Sequence, residues 1–529
     1  MLNDAGKRAA AGTAAAAITF GAAALGAPAT AAPRSAPEPR PTGPAWRACP
    51  AKDPVEGGRL KGLQCASVRV PLDYARPRGE QITLELTRAR HTASRSQGVV
   101  LLNRGGPGAH GRDLPGFFKS AVPKGVAASY DWIGFDPRGV GASAPSLICD
   151  PSYQDPGRAR PDTIPADAAA ERAWTERAKA FANDCARKYG RILPHMGTAN
   201  WARDMDEIRQ ALGQERLNYF GYSYGSYLGA VYATMFPGRV RRMVLDSVVR
   251  PSGVWYQDNL DQNVAFEKRI RAYFTWIARH DKVYRLGATE PRVAAAYAKA
   301  RQALGNDPVD GKIGPSELDD VFLADGYGDY GWDAHARALS AFVVRHDAGP
   351  LRKAWQPPGK LDQNNYAVYN AVQCRDAAWP RDWGRWHADS ARLYREGYRF
   401  ETWSNTWYNA PCAFWPGTGG PPPRVAGTAA LPPLLLVQAT EDAATPYPGA
   451  LETHRAFPSS RLIAQVGGRN HGVSLSGDKC VDGAVAAYLA DGRLPASKPG
   501  PDASCAAPSE PEPAKDKRPD RAEHTAAQR

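Results

Sequence analysis

The chain has 529 residues, 43% of them hydrophobic, with 67 Lys and Arg against 54 Asp and Glu and a formal net charge of +13. That is ample apolar material for a buried core and too long for one ordinary domain, so a main domain with a large insertion is expected. The positive excess excludes little beyond a nucleic-acid role: basic residues are scattered among acidic ones with no basic stripe or recognition motif, and solubility with loose attraction to an anionic cell surface accounts for it.

At the N-terminus Lys7 and Arg8 precede a small-residue apolar run from Ala9 to Gly26, and Ala29-Thr30-Ala31 follows as an A-x-A cleavage pattern. This is the pattern of a secretory signal peptide over residues 1–31. The alanine-rich run is short and weakly apolar for a bilayer span, and the basic pair is Lys-Arg rather than twin arginine, so general export is expected. Residues 32–45, rich in Pro, Ala and Arg, read as a flexible leader. No later segment offers about 18 uninterrupted apolar residues, so no membrane span is expected in the mature protein. Export also accounts for an even set of eight cysteines, at 49, 65, 149, 185, 374, 412, 480 and 505, none with C-x-x-C metal spacing. Sequence alone does not fix their connectivity. Pairing neighbours, Cys49 with Cys65, Cys149 with Cys185, Cys374 with Cys412 and Cys480 with Cys505, closes four local loops.

From residue 46 strand-like runs recur: Ala66–Leu72, Ile82–Ala89, Val99–Asn103, Trp132–Asp136, Leu217–Phe220, Arg242–Asp246, Leu434–Ala439 and Leu462–Val466. Helical patterns separate most of the later ones. Ala199–Leu212, entered through Thr198 or Asn200, puts Met205, Ile208 and Leu212 on one face. Short apolar strands alternating with helices indicate a doubly wound, mostly parallel α/β sheet.

After the strand Leu217–Phe220 the chain reads Gly221-Tyr222-Ser223-Tyr224-Gly225, a G-x-S-x-G, and Tyr227, Leu228, Val231, Tyr232 and Met235 then fall at helical spacing. Strand, G-x-S-x-G and helix in that order make the nucleophile elbow of an α/β-hydrolase, which lifts a serine oxygen out of the sheet. Ser223 is the candidate nucleophile. The alternation breaks after Asp246 and resumes only at Leu434, a gap too long for one crossover. Helical patterns at Asn263–His280, Pro291–Leu304, Trp332–Val344 and Trp383–Tyr394 fill it, so a mainly helical cap insertion over residues 251–430 is expected, dividing the core into 46–250 and 431–498.

Serine needs a base to take its proton and an acid to orient the base, and in this fold the chain order is Ser, acid, His. Asp442, in Asp-x-x-Thr-Pro at the end of the strand Leu434–Ala439, is preferred to its neighbour Glu441. Of the ten histidines only His454, His471 and His524 follow. His454 lies in a helical pattern and His524 in the tail, whereas His471 sits in a glycine-rich loop directly after the strand Leu462–Val466. An acyl-transfer enzyme also needs donors aimed at the developing oxyanion. Asn103-Arg104-Gly105-Gly106-Pro107-Gly108 follows the strand Val99–Leu102, and the N–H groups of Gly106 and Tyr224 are the expected pair. No metal or organic cofactor is required. Beyond 498 the Pro-, Glu-, Lys- and Ala-rich sequence reads as a disordered tail over 499–529.

The Gly-Gly-Pro-Gly loop, the segment Gly134-Phe135-Asp136-Pro137-Arg138-Gly139-Val140-Gly141-Ala142-Ser143, the Ser-Tyr-Gly-Ser elbow, Val244-Leu245-Asp246 and the Asn470-His471-Gly472 end together resemble the secreted bacterial tripeptidyl aminopeptidases. These are relatives of prolyl aminopeptidases among the α/β-hydrolases. The similarity covers roughly residues 45 to 495, with Val372-Gln373-Cys374-Arg375-Asp376 and Cys412 of the cap also matching in kind. Arg104 departs from it, standing where the family usually carries proline, at the entry to the oxyanion loop. The resemblance implies release of short peptides from a free N-terminus, so peptides with a free amino group are the expected partners. A buried cap carboxylate would hold the ammonium, and Asp376 is the candidate. A carboxylesterase with the same triad and a non-catalytic binding protein on the hydrolase fold are the alternatives.

Overall fold

Ten strands form one sheet in the computed structural model, which describes residues 43–155 and 157–515. They are β1 (Arg47–Ala48), β2 (Gln64–Pro71), β3 (Gln81–Ala89), β4 (Val99–Asn103), β5 (Asp131–Phe135), β6 (Leu217–Tyr222), β7 (Val240–Asp246), β8 (Leu435–Ala439), β9 (Arg461–Val466) and β10 (Ala503–Ala506). The spatial order is β1-β2-β3-β5-β4-β6-β7-β8-β9-β10. Pairings from β1 to β5 through β2 and β3 are antiparallel, and all the others are parallel. The eight expected strands are all present within a few residues of their expected limits. The expected signal peptide, nearly all of the leader and residues 516–529 lie outside the described residues.

Burial follows position in the sheet. β2 alternates buried and exposed residues over Ala66–Val70, as an antiparallel strand with one open face does, whereas every residue of β4 and β8 is buried. Helices on both faces cause this. The helices Thr198–Ala211 and Tyr224–Met235 cover one face through Met205, Ile208, Leu228 and Val231, and Leu114–Ala121 with Lys479–Asp491 cover the other through Phe118, Val481, Val485 and Leu489.

The segment read in sequence as Gly134–Ser143 is a turn built around two buried acids. Arg138 is fully buried and donates to Asp204 through Nε (2.7 Å) and Nη2 (2.6 Å), while its remaining N–H groups go to the carbonyls of Pro71, Leu72 and His195. Asp136 accepts from the N–H groups of Gly111 and Ala142, both at 2.9 Å. This turn anchors the residues after β5 to the helix before the elbow.

Between β7 and β8 the chain forms helices with no strand among the described residues. The principal ones are Tyr256–Arg279, Glu290–Asn306, Pro315–Tyr327, Trp332–Arg345, Lys360–Asp376, Trp383–Arg395 and Thr402–Asn409. They have a core of their own, in which Tyr273, Trp276, Phe322 and Trp332 are buried together. Helix Ala168–Tyr189, between β5 and β6, meets this body where Trp174 stacks on Trp407 at 5.5 Å. All eight cysteines are paired, in the neighbour pattern expected.

The expected disordered tail is corrected in part. Ala503–Ala506 adds β10 to the sheet beside β9, where the Cys480–Cys505 disulfide and buried Asp502, accepting from the N–H of Leu462 at 2.8 Å, fix it. Residues 507–515 then reach the helical insertion. Trp276 Nε1 donates to Pro511 O at 2.9 Å, and Arg337 Nη2 donates to Ala514 O at 2.6 Å. Polar composition hid the strand, because its order comes from partners elsewhere in the chain.

Candidate active site

Ser223 stands between the end of β6 and the first turn of helix Tyr224–Met235 with φ 56° and ψ −126°. A non-glycine residue held there costs about 1–3 kcal/mol, a strain typical of functional positions. Its neighbours enforce it. The Ser223 N–H donates to Asp246 O at 2.9 Å, and Ser226 donates to Ser223 O through both N–H and Oγ. Any Cβ at Gly221 would lie 2.4 Å from Gly225 O, so the elbow closes only around glycine. Ser223 Oγ makes no hydrogen bond among the described residues and lines a cavity of about 920 Å³.

The loop after β4 packs on this elbow. Gly105 has φ +104°, and a Cβ there would meet Tyr222 O at 2.5 Å. Gly106 lines the cavity with Ser223 and Tyr224. Tyr224 is the first residue of its helix, so its N–H has no intrahelical acceptor. Arg104 does not reach toward the insertion: its Nη2 lies 2.8 Å from Asp113 Oδ1, just ahead of helix Leu114–Ala121.

Asp442 follows β8, and His471 lies in the loop after β9. His471 Nδ1 is 2.8 Å from Asp442 Oδ2 and 3.0 Å from Oδ1, so the carboxylate holds the Nδ1–H tautomer and leaves Nε2 as the basic nitrogen. Asp442 also accepts from the N–H groups of Ala444 and Thr445 and from Thr445 Oγ1. Burial raises the Asp442 pKa, but His471 and these hydrogen bonds outweigh it and hold the carboxyl below the usual range. Burial lowers that of His471, and Asp442 reverses this, leaving the imidazole above its ordinary value. Glu441 also lines the cavity but is half exposed and 3.4 Å from Arg269, with no bond to the imidazole among the described residues. His454 sits elsewhere, bonded to Ser460 Oγ, and His524 lies outside the described residues.

Two supports of the histidine loop were not read from sequence. Asp246, at the end of β7, accepts from the N–H groups of Val473 and Ser474, and Ser247 Oγ accepts from that of Gly472. From the insertion, Tyr327 O accepts the His471 N–H at 2.8 Å, Asn470 Oδ1 accepts the Asp329 N–H at 3.0 Å, and Arg469 pairs with Asp329. The Tyr327 ring stands edge-on to the imidazole, centroids 5.5 Å apart.

Asp376 is buried but not on the wall of the cavity that Ser223 lines. Its Oδ1 accepts the Thr198 N–H at 2.6 Å, and its Oδ2 accepts Thr198 Oγ1 and Trp255 Nε1. Thr198 Oγ1 in turn accepts from Tyr224 OH at 2.7 Å. Burial pushes the Asp376 pKa up to about 6. Three carboxylates line the cavity from the insertion, Asp258, Asp261 and Glu401, the first two paired with Arg250 and Glu401 set beside Tyr369, Asn405 and Tyr408. Glu401 is 7% exposed, pairs with no cation among the described residues, and burial pushes its pKa well above the usual carboxylate range.

Comparison with known proteins gives the family. A family model described as "alpha/beta hydrolase fold" matches residues 98–314, and one described as "TAP-like protein" matches residues 398–505. The chain is 44% identical over 481 residues to a tripeptidyl aminopeptidase of Streptomyces lividans, covering 88% of this chain and 87% of that one. It is 32% identical to serine protease Hip1 of Mycobacterium tuberculosis (85% and 89% covered) and 30% identical to carboxylesterase B of the same organism (85% and 88% covered). A doubly wound sheet with a serine elbow, an Asp442–His471 pair at the ends of β8 and β9, and this extent of identity place the chain in the tripeptidyl aminopeptidase family of α/β-hydrolases.

Proposed function

We propose that the protein is a secreted serine exopeptidase that releases short peptides, tripeptides by analogy with its relatives, from the free N-terminus of peptide substrates. The observation that carries the chemistry is the Asp442–His471 hydrogen bond, with Asp442 and a strained, unbonded Ser223 lining one cavity. Ser223 Oγ attacks the scissile carbonyl carbon as His471 Nε2 takes its proton. Asp442 orients the imidazole and stabilises its charged form. The N–H groups of Gly106 and Tyr224 receive the oxyanion. His471 then donates its proton to the departing amine, the C–N bond breaks, and water activated by the same nitrogen cleaves the acyl-enzyme.

The helical insertion over 251–430 acts as a cap that encloses the substrate's amino end. Asp376, the carboxylate the sequence favoured for the ammonium, has its oxygens engaged by Thr198 and Trp255, which supports a bracing role behind Tyr224. Glu401 is buried on the cavity wall without a cation and is the better clamp. Export rests on the signal-peptide pattern of residues 1–31 together with four disulfides. No helix among the described residues is long and apolar enough to cross a membrane.

A carboxylesterase would use the same machinery, and one relative bears that name. The deciding experiment is hydrolysis of a tripeptide anilide with a free amino terminus against its N-acetylated twin, by wild type and Ser223→Ala. Turnover of the free form alone, abolished in the variant, supports the exopeptidase. Equal turnover of both, or of simple esters only, overturns it in favour of the esterase.

A further inference from the structure

Four residues past Gly106 the chain reaches His110, and three residues later Asp113; Glu56, from the turn after Asp53, joins them. His110 Nε2 is 3.5 Å from Glu56 Oε2 and 3.9 Å from Asp113 Oδ2, and donor atoms of all three lie within 4.8 Å of one another. None of the three lines the catalytic cavity. The Glu56 side chain is wholly buried, neither of its carboxylate oxygens accepts a hydrogen bond, and His110 Nε2 is enclosed without a hydrogen-bond partner.

Such a carboxylate is unfavourable as it stands. A separation of 3.5 Å is too long for Nε2 and Oε2 to share a proton in a normal hydrogen bond. It does suit two ligands of one ion: tetrahedral donors about 2.1 Å from a common centre lie about 3.4 Å from each other. We propose that Glu56, His110 and Asp113 form a binding site for a divalent transition-metal ion of the zinc type, separate from the catalytic centre. One imidazole and two carboxylates are a borderline donor set, suited to such an ion and poorly to calcium or copper(I).

The surroundings are consistent with this. Arg104 takes Asp113 Oδ1 at 2.8 Å and leaves Oδ2 toward His110. Arg59 is the competitor, its Nε 3.1 Å from Glu56 Oε2, but its side chain is 52% exposed and can swing into solvent as the ion enters. The ion would join the Cys49–Cys65 loop to the root of the segment bearing Gly106, beside the existing Arg112–Asp53 pair at 2.8 Å. The reaction itself needs no metal, so the role is structural.

The test uses the untagged mature protein, stripped with EDTA and titrated with zinc chloride by calorimetry, with thermal unfolding followed in parallel. One equivalent bound and a raised Tm are expected, with affinity falling at least about tenfold in both Glu56→Gln and His110→Ala. Failure of wild type to bind a stoichiometric ion, or undiminished binding by folded His110→Ala, overturns the site. X-ray absorption on the zinc-loaded wild type needs no variant. One nitrogen and two or more oxygens at about 2.0–2.2 Å are expected, and a shell with several imidazoles or any sulfur overturns the assignment.

Discussion

The backbone N–H of His471 donates to the carbonyl of Tyr327 at 2.8 Å, so the imidazole that Asp442 orients from the sheet is also held from the insertion. The helix that ends at Tyr327 thus positions a residue of the candidate triad from outside the hydrolase core.

Asp329 strengthens that link through Arg469 and Asn470. Asp329→Ala is expected to lower kcat/KM by roughly tenfold, within the penalty of up to 10²-fold known for small misplacements. The pH at which activity is half lost should hardly move, because Asp442 still faces the imidazole. Steady-state kinetics across pH checks both points.

The proposed mechanism requires neutral His471, and Asp442 holds its pKa above the ordinary 6.5. Activity should therefore fall as pH drops through a value above 6.5. Asp442→Asn removes the charge that raises it, so the acid limb should move downward while kcat falls by about 10⁴. A limb that stays in place in the variant would show that another group titrates.

Glu401→Gln keeps the shape and removes the charge facing the cavity. A charge-assisted hydrogen bond is worth about 1.5–3 kcal/mol, so kcat/KM for free-amine substrates should drop roughly ten- to two-hundredfold. N-acetylated substrates should be unaffected. Burial raises the Glu401 pKa, so in wild type the preference for the free amine should grow as pH rises through that raised value and fade below it. Asp376→Asn, by contrast, should cost stability through Thr198 and Tyr224 and leave amine selectivity in place.

Arg138 and Asp204 form a fully buried bidentate pair. Arg138→Met strands the carboxylate of Asp204 and should destabilise the fold by about 3–5 kcal/mol. The double variant Arg138→Met/Asp204→Leu should recover much of that loss. Urea unfolding of both reads the difference.

Sequence made the sheet legible because its central parallel strands, covered on both faces, are unbroken apolar runs such as Val99–Leu102 and Leu434–Val437. Ser223, Asp442 and His471 stood out as candidates for a related reason: each lies in the turn or loop that follows a largely apolar strand. Helix Lys360–Asp376 was missed because Asn364, Asn370 and Gln373 are buried along with its apolar residues, which erases the usual period. β1 is too short for any pattern, and β10 lies in a segment whose composition resembles a solvated tail. Glu401 was invisible because what marks it is the lack of a counter-charge. Asp376 attracted attention as a buried acid, yet its partners Thr198 and Trp255 lie far away in the chain.

The segment 507–515 runs from β10 to the helices of the insertion. The insertion leaves the sheet after Asp246 and rejoins it before Leu435, and this segment, coming from beyond β10, adds to the attachments it makes through Thr198, Trp174 and the His471 loop. Core and insertion are thereby coupled thermodynamically, and heating should melt them in a single cooperative transition. A proteolytic nick just after Ala506 leaves every strand and disulfide intact but loosens that segment, and should lower the midpoint of the single transition without splitting it, because Asp376–Thr198 and Tyr327–His471 still join core and insertion. Residues 507–515 act less as an appendage than as one of several clasps that hold core and insertion as one folding unit.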